Sequence, residues 1–101
     1  MNVFNSEECL ELLHLIEENS NISQRELAHK SGLSLGKVNY CIKALIKIGF
    51  VKMKNFKESD AKINYIYLLT PSGIINKTFI AKRFLIQKQQ EYDKIKSYLD
   101  K

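Results

Sequence analysis

Apolar residues recur at intervals of three and four along the first half of the chain. Leu10, Leu13 and Ile16, with Leu12 and Leu15 beside them, form a broad stripe that predicts a helix over roughly residues 7–18. Ser6 stands where a cap is needed, and the turn-rich "ENSN" closes the helix. A second, short helix is expected over about 24–31. Ser23 and Glu26 make a Ser-x-x-Glu capping box, which gives the orphan amides at a helix start two reciprocal partners, and Gly32 can end the helix in the left-handed region. Ser34 restarts a helix that runs until Gly49, with Val38, Cys41, Ile42, Leu45 and Ile48 on its core face. Two helices joined by so tight a turn must cross at a large angle, the helix-turn-helix arrangement.

After Gly49 the period drops to two. "FVKMKNF" alternates, setting Phe50, Lys52, Lys54 and Phe56 opposite Val51 and Met53, and "INYIYLL" is rich in aromatic and β-branched residues. The polar "KESDAK" between them is expected to be the tip of a two-stranded wing. Thr70 as cap and Pro71 at the first helical position open a last helix over about 71–100, about 45 Å long at 1.5 Å per residue. That is too long to pack wholly on so small a domain. Ile74, Ala81 and Ile95 share one heptad position and Leu85, Tyr92 and Leu99 the other, with Lys88 interrupting the seam, so self-association is expected over folding back. The fold class is therefore mostly α with a small β-hairpin: a winged helix-turn-helix domain over 1–70, then a C-terminal dimerisation helix over 71–101.

Charge sharpens this picture. The 101 residues carry a net charge of +5, but residues 1–23 hold five acids and no Lys or Arg, while residues 24–62 hold nine bases against three acids. A central concentration of positive charge points to a polyanion partner. No apolar run approaches the ~20 residues that span a bilayer, and the N-terminus opens acidic, so neither a membrane anchor nor a signal peptide is expected and a cytoplasmic location fits. Cys9 and Cys41 stand far apart in sequence, each within an apolar helical pattern, which argues for small buried hydrophobes rather than a disulfide or metal site. His14 and His29 lie on different helices without a cysteine or carboxylate at ligand spacing, and there is no phosphate-binding glycine loop or nucleophile constellation. No enzyme activity, cofactor or metal is expected.

The third helix has a second stripe. Gly36, Tyr40, Lys43 and Lys47 step by four, three and four along the face opposite the core, flanked by Lys37 and Asn39. Such a face fits the major groove, where Lys donates to guanine, Asn pairs with adenine and Tyr touches a thymine methyl or a phosphate. Gly36 admits two explanations: close approach of backbone to DNA, or close packing against helix two. Lys47, furthest along, ranks below the others, as a phosphate contact or none. Gln24 and Arg25, at a helix amino terminus, are placed to meet phosphate, and Lys57 and Lys62 in the wing could reach the adjacent backbone or minor groove.

"NISQRELAHKSGLSLGKVNYCIKALIKIGFVKMKNF", with "YIYLLTPSGI" after it, resembles the MarR-family regulators associated with exopolysaccharide gene clusters, over roughly residues 10–95. The resemblance implies a dimeric winged-helix regulator of duplex DNA, with "SLGKVNYCIKAL" as recognition helix and Ser34, Gly36, Lys37, Asn39, Tyr40 and Lys43 as its contacts. Larger members carry Asp-x-Arg in the wing; here Asp60 and Lys62 stand there without an arginine. Room for a dimerisation helix ahead of the domain is also lacking, so dimerisation is expected to rest on Ile74, Ala81, Leu85, Tyr92, Ile95 and Leu99. Repression by promoter occlusion is the simplest mechanism; the effector is unspecified. The rival expectation is a winged-helix module that binds a protein through the same face, without specific DNA binding.

Overall fold

The computed structural model describes residues 2–59 and 62–100, and side chains outside 56–64. Each helix start is held by a side chain that local sequence supplies. After a 3-10 turn (Val3–Asn5), Ser6 Oγ accepts the Cys9 amide at 3.1 Å and opens α1 (Glu7–Glu18). A two-residue strand β1 (Ile22–Ser23) leads into α2 (Gln24–Ser31), where both halves of the capping box form: the Glu26 amide donates to Ser23 Oγ at 3.2 Å, and the Ser23 amide donates to Glu26 Oε1 at 3.4 Å. Gly32 ends α2 at φ +75°, and Ser34 Oγ accepts the Lys37 amide at 3.1 Å to start α3 (Leu35–Lys47). Caps of this kind contribute about 1 kcal/mol each.

The end of α3 is a Schellman motif. Gly49 takes φ +88°, its amide reaches the Ile46 carbonyl at 3.0 Å, and the Phe50 amide reaches the Leu45 carbonyl at 2.9 Å. Strands β2 (Val51–Ser59) and β3 (Lys62–Leu69) pair antiparallel from Val51 opposite Leu69 outward, and β1 adds to β3 to give the order β1-β3-β2. The core gathers Leu12, Leu13 and Ile16 of α1, Leu27 of α2, Val38, Cys41, Ile42 and Leu45 of α3, Phe50, Val51 and Tyr67 of the sheet side, and Ile80 of α4 (Pro71–Leu99). Burying each large aliphatic contributes about 1.5–3 kcal/mol.

Several expectations are corrected. Ile48 is not core: α3 stops at Lys47, the left-handed turn at Gly49 redirects the chain, and Ile48 is left 41% exposed while Phe50 fills the interior against Phe4, ring edge to face at 5.7 Å. Phe50 precedes the strand and is buried with Val51, whereas Met53, on the same strand face as Val51, is exposed because the wing extends past the core. Most of "KESDAK" is not a loop, because β2 continues through Ser59 and β3 begins at Lys62; Asp60 and Ala61 lie outside the described residues. The short β1 has too little pattern to be predicted.

The last helix divides in two. Thr70 Oγ1 donates to the Gly49 carbonyl at 2.6 Å and accepts the Gly73 amide at 3.0 Å, while the Thr70 amide donates to the Phe50 carbonyl at 3.1 Å. Gly73 is buried so closely against Phe50 that an added Cβ would stand 2.1 Å from the Phe50 oxygen. From this seat α4 runs along α1, burying Ile80, half-burying Ala81 and Phe84, and pairing Lys77 with Glu17 and Lys88 with Glu7, the latter at 2.7 Å. Lys88, expected to interrupt a seam between copies, is thus spent within the chain. From Leu85 to Asp100 every residue is exposed, which draws the molecule out to 67 Å along its longest axis. Among the described residues no helix is long and apolar enough to cross a membrane.

Candidate nucleic-acid interface

The outer face of α3 follows from its inner one. With Val38, Cys41, Ile42 and Leu45 fixed in the core, steps of 100° per residue turn Gly36, Tyr40, Lys43 and Lys47 to the opposite side, and all four are exposed. A Cβ added to Gly36 would meet nothing within 4 Å, so packing against α2 does not explain this glycine; the outer surface of the first turn is simply bare. Asn39 and Lys37 lie half-buried on the two flanks. Lys37 leans toward α1: its ammonium is 3.3 Å from Glu8 Oε2 and 5.9 Å from the centre of the Tyr40 ring. Hydrogen bonding to Glu8, then its charge, raises the Lys37 pKa and keeps it cationic.

The remaining predicted contacts are placed unevenly. Ser34 is exposed at the head of α3, with its hydroxyl engaged as the cap. Gln24 is used inside the protein: its amide donates to the Leu35 carbonyl at 3.3 Å and its oxygen accepts from the Tyr67 hydroxyl at 3.3 Å, tying α2, α3 and β3 together. Arg25 is exposed beside Glu26, His29 and Lys30, outside that tie. The Lys57 and Lys62 side chains lie outside the described residues, although their backbones belong to the wing strands. Of the predicted dimerisation residues, Ala81 is half-buried toward α1, whereas Ile74, Leu85, Tyr92, Ile95 and Leu99 are exposed, Leu99 by 81%.

Three features escape sequence reasoning. Ile75, Phe79 and Ile86 form an exposed apolar stripe on the side of α4 turned away from α1, visible in the sequence at steps of four and seven but outside the heptad register. Cys9 and Cys41, 32 positions apart, meet in the core as thiols, with no disulfide between them; burial first, then hydrogen bonding to Cys9, pushes the Cys41 thiol up to about 12. His14 does have carboxylates at ligand spacing, three and four residues on: His14, Glu17 and Glu18 bring ligand atoms within 4.8 Å of one another on the exposed side of α1, with Glu17 already holding Lys77. Only helical periodicity at 14, 17 and 18 signalled the last of these.

This architecture, a tight helix-turn-helix followed by a β wing, is a winged helix-turn-helix fold. Residues 10–52 match the family described as winged helix-turn-helix DNA-binding. Among solved structures, the fold resembles a MarR protein of Peptoclostridium difficile, 22% identical, with a TM-score of 0.70 over 87% of this chain and 56% of that one. It also resembles Staphylococcus aureus MarR in complex with salicylate and kanamycin, 19% identical, with a TM-score of 0.64 over 85% and 56%. Streptococcus pneumoniae FabT in complex with DNA is 12% identical, with a TM-score of 0.66 over 87% and 60%. The chain spans less than two thirds of the length of each of these three, and at these identities the likeness is one of fold. No curated protein matches the sequence significantly.

Proposed function

We propose that the chain is a sequence-specific, duplex-DNA-binding transcription regulator of the cytoplasm, working as a homodimer joined through the exposed half of α4. The observation that carries it is the outer stripe of α3, where Tyr40, Lys43 and Lys47 stand exposed beside the bare backbone of Gly36 on a helix anchored by its opposite face. Likeness in fold to FabT, solved in complex with DNA, supports this reading. Lys37, Asn39, Tyr40 and Lys43 are the base-edge and phosphate contacts, and Arg25 and Lys47 contact phosphate; Gln24 and Ser34 position the element. Two copies related by a two-fold axis would present α3 to successive major grooves about 34 Å apart, on a pseudo-palindromic site. Promoter occlusion is then the direct consequence of binding. A role at exopolysaccharide genes rests on the sequence resemblance alone.

The test is duplex binding as a function of salt. If Arg25, Lys37, Lys43 and Lys47 of both copies meet phosphates, log K falls against log salt with a slope of about −7. Lys37 and Lys43 changed together to Ala should abolish retention on DNA. A slope near zero, or retention unchanged in the double variant, refutes the assignment.

A further inference from the structure

We infer that Glu8 is a positioning residue of the interface: it holds Lys37 against α1 in the free protein and competes with DNA phosphate for that lysine. The inference rests on the proposal that the outer face of α3 meets DNA. Lys37 lies on the flank of α3, one turn before Cys41 and three residues before Tyr40, so its long stem can lie toward α1 or toward the outer face. In the free protein it lies toward α1, with its ammonium 3.3 Å from Glu8.

The carboxylate cannot follow the lysine outward. Glu8 sits in the first turn of α1, where the helix dipole favours an anion. Its neighbour Cys9 is fully buried in contact with Cys41, which fixes the distance between α1 and α3 at that level. The Lys37 backbone is fixed as well, with Val38 fully buried beside it, but its longer side chain can swing to the outer face. Both partners are close to half exposed, 40% for the lysine side chain and 45% for the glutamate, and an ion pair so exposed to water is weak enough to be exchanged for a phosphate. DNA binding through Lys37 therefore breaks one contact to make another, and leaves Glu8 as an uncompensated negative charge beside the polyanion. The same arrangement accounts for part of the acidic N-terminal segment: Glu7, Glu8 and Glu17 each hold a lysine from α3 or α4.

A double-mutant cycle on the full chain decides the matter, with mixed-sequence duplex DNA as the probe and binding titrated over a range of salt. Glu8→Gln should tighten binding roughly two- to five-fold, the range a half-exposed ion pair supports. Lys37→Gln should weaken binding, and adding Glu8→Gln to it should change nothing further. Neutral or weaker binding by Glu8→Gln overturns the inference, as does equal tightening in the Lys37→Gln background, which would reveal simple repulsion of phosphate. A wild-type chain that binds no duplex overturns the DNA-binding proposal itself, and this inference with it.

Discussion

Replacing Gly73 with Ala should destabilise the protein, although alanine is the better helix former. The added methyl would stand 2.1 Å from the Phe50 oxygen and 2.9 Å from its carbonyl carbon, both backbone atoms that no rotamer change can move. A carbon meeting a carbonyl oxygen needs about 3.3 Å, so the first turn of α4 must retreat on the order of 1 Å. Overpacking of this kind costs about 1–3 kcal/mol. The retreat also stretches the 3.1 Å bond from the Thr70 amide to the same oxygen, at about 1 kcal/mol. Against this, Ala in place of Gly in a helix returns about 1 kcal/mol. The balance is a loss of about 1–3 kcal/mol, or about 5–20 °C in the melting temperature of a domain of this size. Far-UV circular dichroism during heating, with urea titration alongside, measures it directly. A variant that melts at or above the wild-type temperature would show that the close seat of α4 on Phe50 is wrong.

Gly36→Ala should do the opposite, gaining about 0.4–1 kcal/mol in the same melt, because a Cβ there meets nothing within 4 Å; if the bare backbone approaches DNA, the same variant binds duplex more weakly. Leu85→Glu combined with Leu99→Glu should give monomers in sedimentation equilibrium, since both residues lie on the exposed half of α4, and an unchanged mass would sink the dimer proposal. Stability should fall by about 1 kcal/mol between pH 8 and pH 10. The unfolded Cys41 thiol ionises near 9.0 while the folded one is held to about 12, so the unfolded chain sheds its proton first, and stability present below 9 is lost as pH rises toward 12. Urea midpoints that stay level across that interval would contradict the burial of this thiol.

What the sequence discloses and what it hides divide along a physical line. Ser6, Ser23 with Glu26, Ser34 and Thr70 cap helices through contacts three residues away, so those starts are readable from local spacing. The core stripe of α3 is readable for the same reason, since Val38, Cys41, Ile42 and Leu45 need only helical periodicity. Ile48 marks the limit: the period includes it, but the backbone leaves the helix first. Gly73 looks like a flaw in a helix until Phe50, 23 positions earlier, is placed against it. Cys9 beside Cys41, Glu8 beside Lys37, and Gln24 bridged to Leu35 and Tyr67 are likewise products of tertiary approach, to which no periodicity corresponds. The outer stripe of α3 was legible as a surface; that Lys37 is restrained at its flank and Gln24 occupied within was not.

The exposed half of α4 is also a lever. Ile80, Ala81 and Phe84 hold the first half of the helix on α1, so the free arm begins at Leu85. From Leu85 to Leu99 the arm is about 21 Å long, and a tilt of about 10° where it leaves α1 swings its tip by about 4 Å. In a dimer joined at the tips the same leverage works in reverse. Small tilts of the arm would be magnified into the separation of the two α3 helices, and so into the half-site spacing that such a pair can span.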